Sequence, residues 1–377
     1  MTSAPKNLYY TGDPQQPRIP DKWKQLPYTN LEDANDALFY VAPKGLRDAV
    51  NVALELGLPL LLTGEPGVGK SMLARSLNRE MGYKDDELLH VTVKSDTRDS
   101  ELFYSYDTLG RFHAVHGQIN IGDEAAKQKA HAEADPRRFI RYQGLGMAIL
   151  LAKGLDNIPD KIKNKQTEDI FVNYPNRRRA VVLIDEIDKA PRDMPNDILN
   201  EIERMEFRIP ELFFDDSIKL ETEDDKKHRP IVIITSNAER ELPEAFLRRC
   251  LYYHLTMPRF KEEVDKENPD SNEVTVEGIV ASRFNKGQFD GERNLLKEDA
   301  LSLFRFLRED RYQQLQRKPS LAELLDWLRY FGDSRDATRL TKRPDFLISL
   351  QATLLKTQGD QQKIEKYIED WKKEQGR

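Results

Sequence analysis

Short apolar runs alternate with helical patterns through the first two-thirds of the chain. The runs have the length and composition of strands that are buried on both faces of a sheet. They are Leu58–Thr63, Leu88–Val93, Ala180–Ile184, Ile231–Thr235 and Leu251–Leu255. Because helical patterns such as that of Pro43–Leu56 lie between most of them, the sequence predicts an α/β fold with a parallel sheet flanked by helices.

The pattern changes near Pro258, after which the strand signals stop. Apolar residues at helical spacing predict helices at Leu295–Leu307, Leu321–Phe331, Asp345–Leu355 and Gln361–Lys373. We therefore assign residues 37–257 to the α/β core and residues 258–377 to a smaller all-α domain. Residues 1–36 contain Pro5, Pro14, Pro17, Pro20 and Pro27, which predict an extended N-terminal arm that serves for docking.

Charge and composition narrow the class of protein. The chain has 377 residues with 59 Lys and Arg against 65 Asp and Glu, a net charge of -6, so no global positive field attracts nucleic acid or an anionic membrane. Cys250 is the only cysteine, which excludes an internal disulfide. No apolar run approaches the roughly 18 residues of a membrane span, and the first residues lack a signal-peptide pattern. We expect a cytoplasmic protein that does not bind a membrane, and any binding of nucleic acid would have to be local.

A glycine-rich segment follows the first predicted strand and precedes a helical pattern. This order of strand, loop and helix is the context that a phosphate-binding loop requires, whereas an ordinary glycine-rich turn is the alternative. The backbone N–H groups would surround the phosphates of a nucleotide, Lys70 would reach the β- and γ-phosphates, and Ser71 would coordinate Mg²⁺. The segment is Gly64, Glu65, Pro66, Gly67, Val68, Gly69, Lys70 and Ser71.

Polar residues end two further predicted strands. Asp185 and Glu186 follow the run Ala180–Ile184, and Asn237 follows Ile231–Thr235. Since ligands bind at the carboxyl ends of strands in α/β sheets, Asp185 would hold Mg²⁺ opposite Ser71 and Glu186 would polarise the attacking water. The amide of Asn237 would contact the γ-phosphate or that water. The alternatives are a helix N-cap for Asp185 and a turn residue for Asn237.

The order of these motifs resembles the MoxR-like branch of the AAA+ ATPases, within the dynein-related AAA subgroup, over roughly residues 40 to 330. The more specific signal is the block Leu242-Pro243-Glu244-Ala245-Phe246-Leu247-Arg248-Arg249. Asp185–Pro191 is similar to the family's Asp-Glu-Ile-Asn-Arg-Ala-Pro block, with Asp188 and Lys189 in place of Asn and Arg. By position, the resemblance implies that Asn237 is sensor 1.

The resemblance also implies an assembly and a partner. Arg249 matches the family's arginine finger, which reaches the nucleotide of a neighbouring subunit, so a ring, commonly a hexamer, is expected. ATP and Mg²⁺ are the implied cofactors. A partner that contains a von Willebrand factor A domain is the implied client.

The chain departs from the family pattern in two places. Where the family has the sensor 2 arginine, this chain has Lys318-Pro319-Ser320-Leu321-Ala322-Glu323, and we assign no residue to that role. The 115 positions between Lys70 and Asp185 exceed the roughly 50 that a helix, a strand and a second helix need, so an insertion is expected within 98–178.

Two weaker patterns lie near the core. Alternating apolar residues on both sides of Asp215-Asp216-Ser217 predict a β-hairpin that projects from the sheet, which the resemblance would direct to a ring pore or client; packing at the sheet edge is the alternative. These residues are Met205, Phe207, Ile209, Ile218 and Leu220. Arg177, Arg178 and Arg179 are interpreted as a solvated lead-in to the Asp-Glu strand rather than a nucleic-acid patch.

The leading functional hypothesis is an ATP-driven, ring-forming enzyme that remodels or activates a bound protein. A GTP- or ATP-driven nucleic-acid motor of the restriction type is an alternative, because Asn237-Ala238-Glu239-Arg240 resembles the sensor stretch of that group. A scaffold that binds nucleotide with negligible turnover is a third hypothesis. The missing sensor 2 arginine favours the scaffold, and Lys70, Asp185, Glu186, Asn237 and Arg249 argue against it.

Overall fold

The computed structural model describes residues 37–116, 134–212, 214–268, 271–284, 289, 291, 293–309, 315–332 and 339–376. It divides into two compact units. One unit consists of residues 44–65 and 70–256; the other contains, among the described residues, 37–43, 66–69 and those from 257 onward. The predicted N-terminal arm at 1–36, and residues 117–133 within the predicted insertion, lie outside the described residues.

Strands and helices are numbered here in chain order. The strands are β1 (Leu60–Thr63), β2 (Leu89–Thr92), β3 (Tyr104–Tyr106), β4 (Ile140–Tyr142), β5 (Val181–Asp185), β6 (Glu206–Ile209), β7 (Phe214–Lys219), β8 (Ile231–Ser236) and β9 (Leu251–His254). The α-helices before β9 are α1 (Lys44–Leu56), α2 (Lys70–Glu80), α3 (Thr108–His116), α4 (Gly144–Lys153), α5 (Lys165–Asn173), α6 (Met194–Asp197), α7 (Leu199–Arg204), α8 (Glu223–Lys227) and α9 (Glu244–Leu247). Those after it are α10 (Lys261–Glu267), α11 (Val276–Arg283), α12 (Arg293–Arg308), α13 (Leu321–Gly332), α14 (Phe346–Thr353), α15 (Gln358–Gln361) and α16 (Ile364–Glu374).

A five-stranded sheet forms the centre of the α/β unit. Its order is β2-β5-β8-β1-β9, and every neighbouring pair is parallel. The first four residues of β5 and all of β1 are buried, as expected for strands covered on both faces. Each of the five predicted apolar runs forms one of these strands, so the predicted α/β fold with a parallel sheet is confirmed.

Helix α4 covers β2 and β5 at close range, and glycines at its start permit close contact with β2 and with the backbone of Phe103. A Cβ atom at Gly146 would lie 2.0 Å from the carbonyl oxygen of Phe103, and one at Gly144 would lie 2.6 Å from Cγ2 of Val91. All ten residues of α4 are buried. Part of the region predicted as an insertion, residues 98–178, therefore belongs to the layer that flanks the sheet.

Strands β6 and β7 form the predicted hairpin as a separate antiparallel pair. Its apolar side chains are buried in the core of the unit, contrary to the predicted projection from the sheet. The ring of Phe207 stacks on Phe103, with centroids 5.4 Å apart, and lies edge-on to Tyr142 of β4. Buried in this way are Met205, Phe207, Ile209, Ile218 and Leu220.

The three arginines before β5 make intramolecular contacts. The guanidinium of Arg178 lies between the rings of Tyr83 and Tyr174, 4.0 and 4.3 Å from their centroids. Arg177 donates to the buried carboxylate of Asp225 at 2.8 Å, and Arg179 donates to the carbonyl of Lys227. The expectation that this segment is a solvated lead-in is therefore wrong.

Helices α10–α16 build the second core. Trp327 and Trp371 are fully buried in it, and their indole N–H groups donate to Ser349 and Ser302. At the start of α13, Glu323 accepts the backbone N–H of Ser320 and donates its own to the Ser320 hydroxyl, which is a capping box. The predicted all-α region is thus confirmed. Of the helices in the described residues, none combines the length and apolarity needed to span a membrane.

Candidate functional site

Strand register brings four polar strand ends to one edge of the sheet. Thr63, at the end of β1, is aligned with Ser236 of β8, and Asp185, at the end of β5, is aligned with Thr92 of β2. Residues that follow these strands in the sequence therefore meet at the carboxyl edge of the sheet. This edge is where α/β proteins bind ligands.

The loop between β1 and α2 has the backbone of an anion cradle. Gly64, Gly67 and Gly69 have φ values of 143°, 78° and 98°, which side-chain-bearing residues rarely adopt. Helix α2 begins at Lys70 directly after the loop, so its N-terminal N–H groups add positive potential. This conformation fits the phosphates of a nucleotide.

Lys70 is the cation of the loop. Its ammonium is buried and donates to the carbonyls of Gly64 at 2.7 Å and Glu65 at 3.0 Å. Burial lowers the pKa of Lys70, and nearby carboxylates oppose this effect, Asp188 most strongly and then Asp185. The charge of the ammonium is thus supported by acidic residues at the carboxyl end of β5 and in the turn that follows it.

Asp185 is surrounded by hydrogen-bond donors. One carboxylate oxygen accepts from the hydroxyl of Ser71 at 2.8 Å and from that of Thr235, and the other lies 3.5 Å from Nε2 of His90. Burial would raise the pKa of Asp185, but the hydrogen bonds from His90, Thr235 and Ser71 outweigh it and lower the pKa to about 2. The carboxylate is therefore ionised at neutral pH.

Ser71 and Asp185 together fit Mg²⁺. A hydroxyl and an ionised carboxylate in contact are the hard oxygen donors that this ion prefers. Among the described residues, no three His, Cys, Asp or Glu side chains gather into a metal-binding group. The donor set matches an ion that takes its other ligands from phosphates and water, as Mg²⁺ does in nucleotide sites.

Glu186 has an unusual backbone conformation. Its φ of 63° places it in the left-handed region, and its N–H donates to the Thr235 hydroxyl at 3.0 Å. Its carboxylate accepts from Nζ of Lys189 at 2.7 Å and from Nδ2 of Asn237 at 3.4 Å. The structure therefore brings Glu186 and Asn237 together at the same edge.

Four further residues at this site were not assigned a function by sequence reasoning. Thr235 bridges Asp185 and Glu186, and Asp188 accepts backbone N–H groups from the loop after β8. Polar residues within apolar strands were the available signal for Thr235 and for His90 on β2. Asp188 and Lys189 were noted only as departures from a family motif, and their contacts depend on the folded chain.

Arg249 lies outside this group of contacts. Its Nε donates to Glu203 at 3.1 Å, and its side chain is 42% exposed. Its neighbour Arg248 pairs with Glu244 on α9. Within its own chain, Arg249 is thus an exposed residue bound to a glutamate of α7.

Comparisons with known proteins give a family, and solved structures with a similar fold are among the matches. No curated protein matches the chain. A solved structure described as a "putative ATPase" from Cytophaga hutchinsonii aligns with 14% identity and a TM-score of 0.32, and covers 87% of this chain and 86% of that one. The family model described as AAA domain (dynein-related subfamily) matches residues 59–250, more than half of the chain. These residues include the phosphate loop, β5 and β8, and the chain belongs to the dynein-related subfamily of AAA domains.

Proposed function

We propose that this protein binds ATP with Mg²⁺ and hydrolyses it as a ring-forming ATPase of the MoxR type that remodels or activates a partner protein. The observation that carries the proposal is the contact of Ser71 with Asp185 beside Lys70. Together these groups can bind a triphosphate with its metal ion: the hydroxyl and the ionised carboxylate bind the metal, and the ammonium at the glycine-rich loop binds the phosphates. Membership of the AAA family supports the same activity.

Each residue has a defined task in this proposal. The loop from Gly64 to Gly69 presents N–H groups to the phosphates, and Lys70 exchanges its contacts with loop carbonyls for phosphate oxygens. Ser71 and Asp185 hold Mg²⁺, which neutralises phosphate charge when bound. Glu186 accepts the proton of the attacking water, and Asn237 orients that water or the γ-phosphate.

The ring is the second part of the proposal. Arg249 is exposed, so it can reach a nucleotide bound to a neighbouring subunit after release from Glu203. A guanidinium supplied by another subunit stabilises charge that develops in phosphoryl transfer. The similarity of Leu242–Arg249 to the MoxR block supports this role, a hexameric ring and a partner with a von Willebrand factor A domain.

A phosphate-release assay tests the proposal. We expect turnover with Mg²⁺ and ATP, loss of nucleotide binding in Lys70→Ala, and retained binding without turnover in Glu186→Gln, because an amide cannot act as a base. The same assay with GTP distinguishes the ATPase from a restriction-type motor, for which turnover of GTP is expected. Turnover of Glu186→Gln at the parental rate would contradict the assignment of the water-activating group.

A nucleotide-gated scaffold is the second candidate, and two observations favour it. The stretch Lys318–Glu323 has no arginine at the place of sensor 2. The carboxylate of Glu186 is held in an ion pair with Lys189. Tight ATP binding without phosphate release from the parent protein would support the scaffold over the ATPase.

A further inference from the structure

The buried carboxylate of Asp188 holds the loop that follows β8. Asp188 lies in the 3₁₀ turn Ile187–Lys189, directly after Glu186, and is 3% exposed. Its two oxygens accept the backbone N–H groups of Asn237 at 3.3 Å and Glu239 at 3.0 Å. A carboxylate removed from water needs such donors, since an unpaired buried charge is strongly destabilising.

The loop has a conformation that depends on these contacts. Ala238 adopts a φ of 57°, and its N–H donates to the hydroxyl of Ser236 at 2.9 Å. Three consecutive N–H groups are thus held by the side chains of Asp188 and Ser236. A left-handed residue other than glycine is strained and persists only where its surroundings fix it.

The same turn also carries the carboxylate that Asn237 contacts. Glu186 precedes the turn, and its Oε1 lies 3.4 Å from Nδ2 of Asn237. One short segment after β5 therefore provides both the partner of the Asn237 side chain and the anchor of its backbone. The distance between Asn237 and Glu186 is therefore fixed by hydrogen bonds from this one segment, and not only by where β5 and β8 end.

We propose that Asp188 is a positioning residue of the nucleotide site, which sets the Asn237 amide against Glu186 by clamping the backbone of residues 237–239. This inference rests on the proposed ATPase function. Asp188→Asn keeps one acceptor but turns an amide NH₂ group toward a backbone N–H group, so the clamp opens on one side.

Turnover by four proteins forms the test: the parent, Asp188→Asn, Asn237→Ala and the double variant. We expect Asp188→Asn to lower kcat by about tenfold or more with KM for Mg-ATP within about twofold, because misplacing a catalytic group by an ångström is costly. In the Asn237→Ala background the same change should lower kcat by no more than about twofold, since the residue that it positions is absent.

A role that does not involve Asn237 would give a different result. Asp188 also supports the charge of Lys70, and any buried aspartate contributes to folding. If Asp188→Asn lowered kcat through Lys70 or through folding, the loss of kcat would be equally large in the Asn237→Ala background. That result would overturn the proposal. Asp225 offers a matched control, because it is 1% exposed and accepts the N–H groups of Glu221 and Thr222. The kcat loss in Asp225→Asn should be the same with and without Asn237→Ala.

Hydrogen exchange separates this inference from the proposed function. If the parent protein releases no phosphate with Mg-ATP, the proposed function fails, and exchange of the backbone amides then decides whether Asp188 holds the loop. A peptide that spans residues 237–243 should exchange faster in Asp188→Asn, while one that spans β6 should not change. Unchanged exchange at 237–243 would overturn the clamp.

Discussion

Thr235 serves both acidic residues of the site through one hydroxyl. It donates to the carboxylate of Asp185 and accepts the N–H of Glu186. Thr235→Val keeps the shape of the side chain but removes both hydrogen bonds. We expect this change to lower the free energy of unfolding by about 1–3 kcal/mol at pH 7, measured by urea denaturation, because it leaves buried polar groups unpaired.

The pH dependence of that loss identifies its origin. The pKa of Asp185 is about 2 in the folded protein, below its usual 3.8, so ionised Asp185 contributes stability above pH 4 that is lost as the pH falls toward 2. The difference in the free energy of unfolding between Thr235→Val and the parent should therefore become smaller as the pH falls from 4 to 2. Thr63→Val is the control, since the hydroxyl of Thr63 contacts Tyr252 and His254 and not Asp185. The loss of stability that this variant causes should not change between pH 4 and pH 2.

The sequence predicted the candidate site residues themselves, but it did not predict the residues that hold them in position. A strand that ends in Asp185 and Glu186 can be recognised from the apolar run before it, because parallel strands are buried on both faces. The contact of Asp188 with Glu239 joins residues 51 positions apart, and the donors are backbone groups that every residue has. No side-chain pattern in the sequence marks such a contact.

The hairpin of β6 and β7 shows how packing decides an element's role. Alternating residues predict the strands, but both projection and burial are compatible with alternation. The apolar face lies against Phe103 and Tyr142, which belong to a region where the aromatic strands β3 and β4 have only three residues each. Because those short strands gave no clear signal, the surface that covers the hairpin could not be anticipated.

Phe207 should accordingly be a determinant of stability. We expect Phe207→Ala to lower the free energy of unfolding by about 3–5 kcal/mol, since it removes a stacked ring from a packed core. Arg208 is the matched control, because it is exposed on the opposite face of the same strand, and Arg208→Ala should change stability by about 0.5 kcal/mol or less. Equal small losses in both variants would mean that the hairpin contributes little to the core.

At the scale of the whole molecule, the position of Arg249 makes the ring hypothesis testable. The ion pair with Glu203 is exposed at both ends, so little free energy opposes its release. Arg249→Ala should leave ATP binding nearly intact and lower turnover by about 10³-fold or more if the guanidinium completes a neighbouring site. Arg248→Ala is the control with a milder effect, since Arg248, directly after α9, pairs with Glu244 at the start of that helix.

Mixing two inactive proteins distinguishes a shared site from a site within one chain. Arg249→Ala retains Glu186 and Glu186→Gln retains Arg249, so a mixed ring contains interfaces where intact Arg249 faces intact Glu186. We expect activity to return on mixing, with light scattering in the presence of a slowly hydrolysed ATP analogue used to show co-assembly. Lys70→Ala mixed with Glu186→Gln provides a second pair, but both defects there lie on the nucleotide-binding side of a subunit, so activity should stay absent. Mixtures of Arg249→Ala and Glu186→Gln that co-assemble without any recovery would show that Arg249 acts within its own subunit, and the shared site would have to be abandoned.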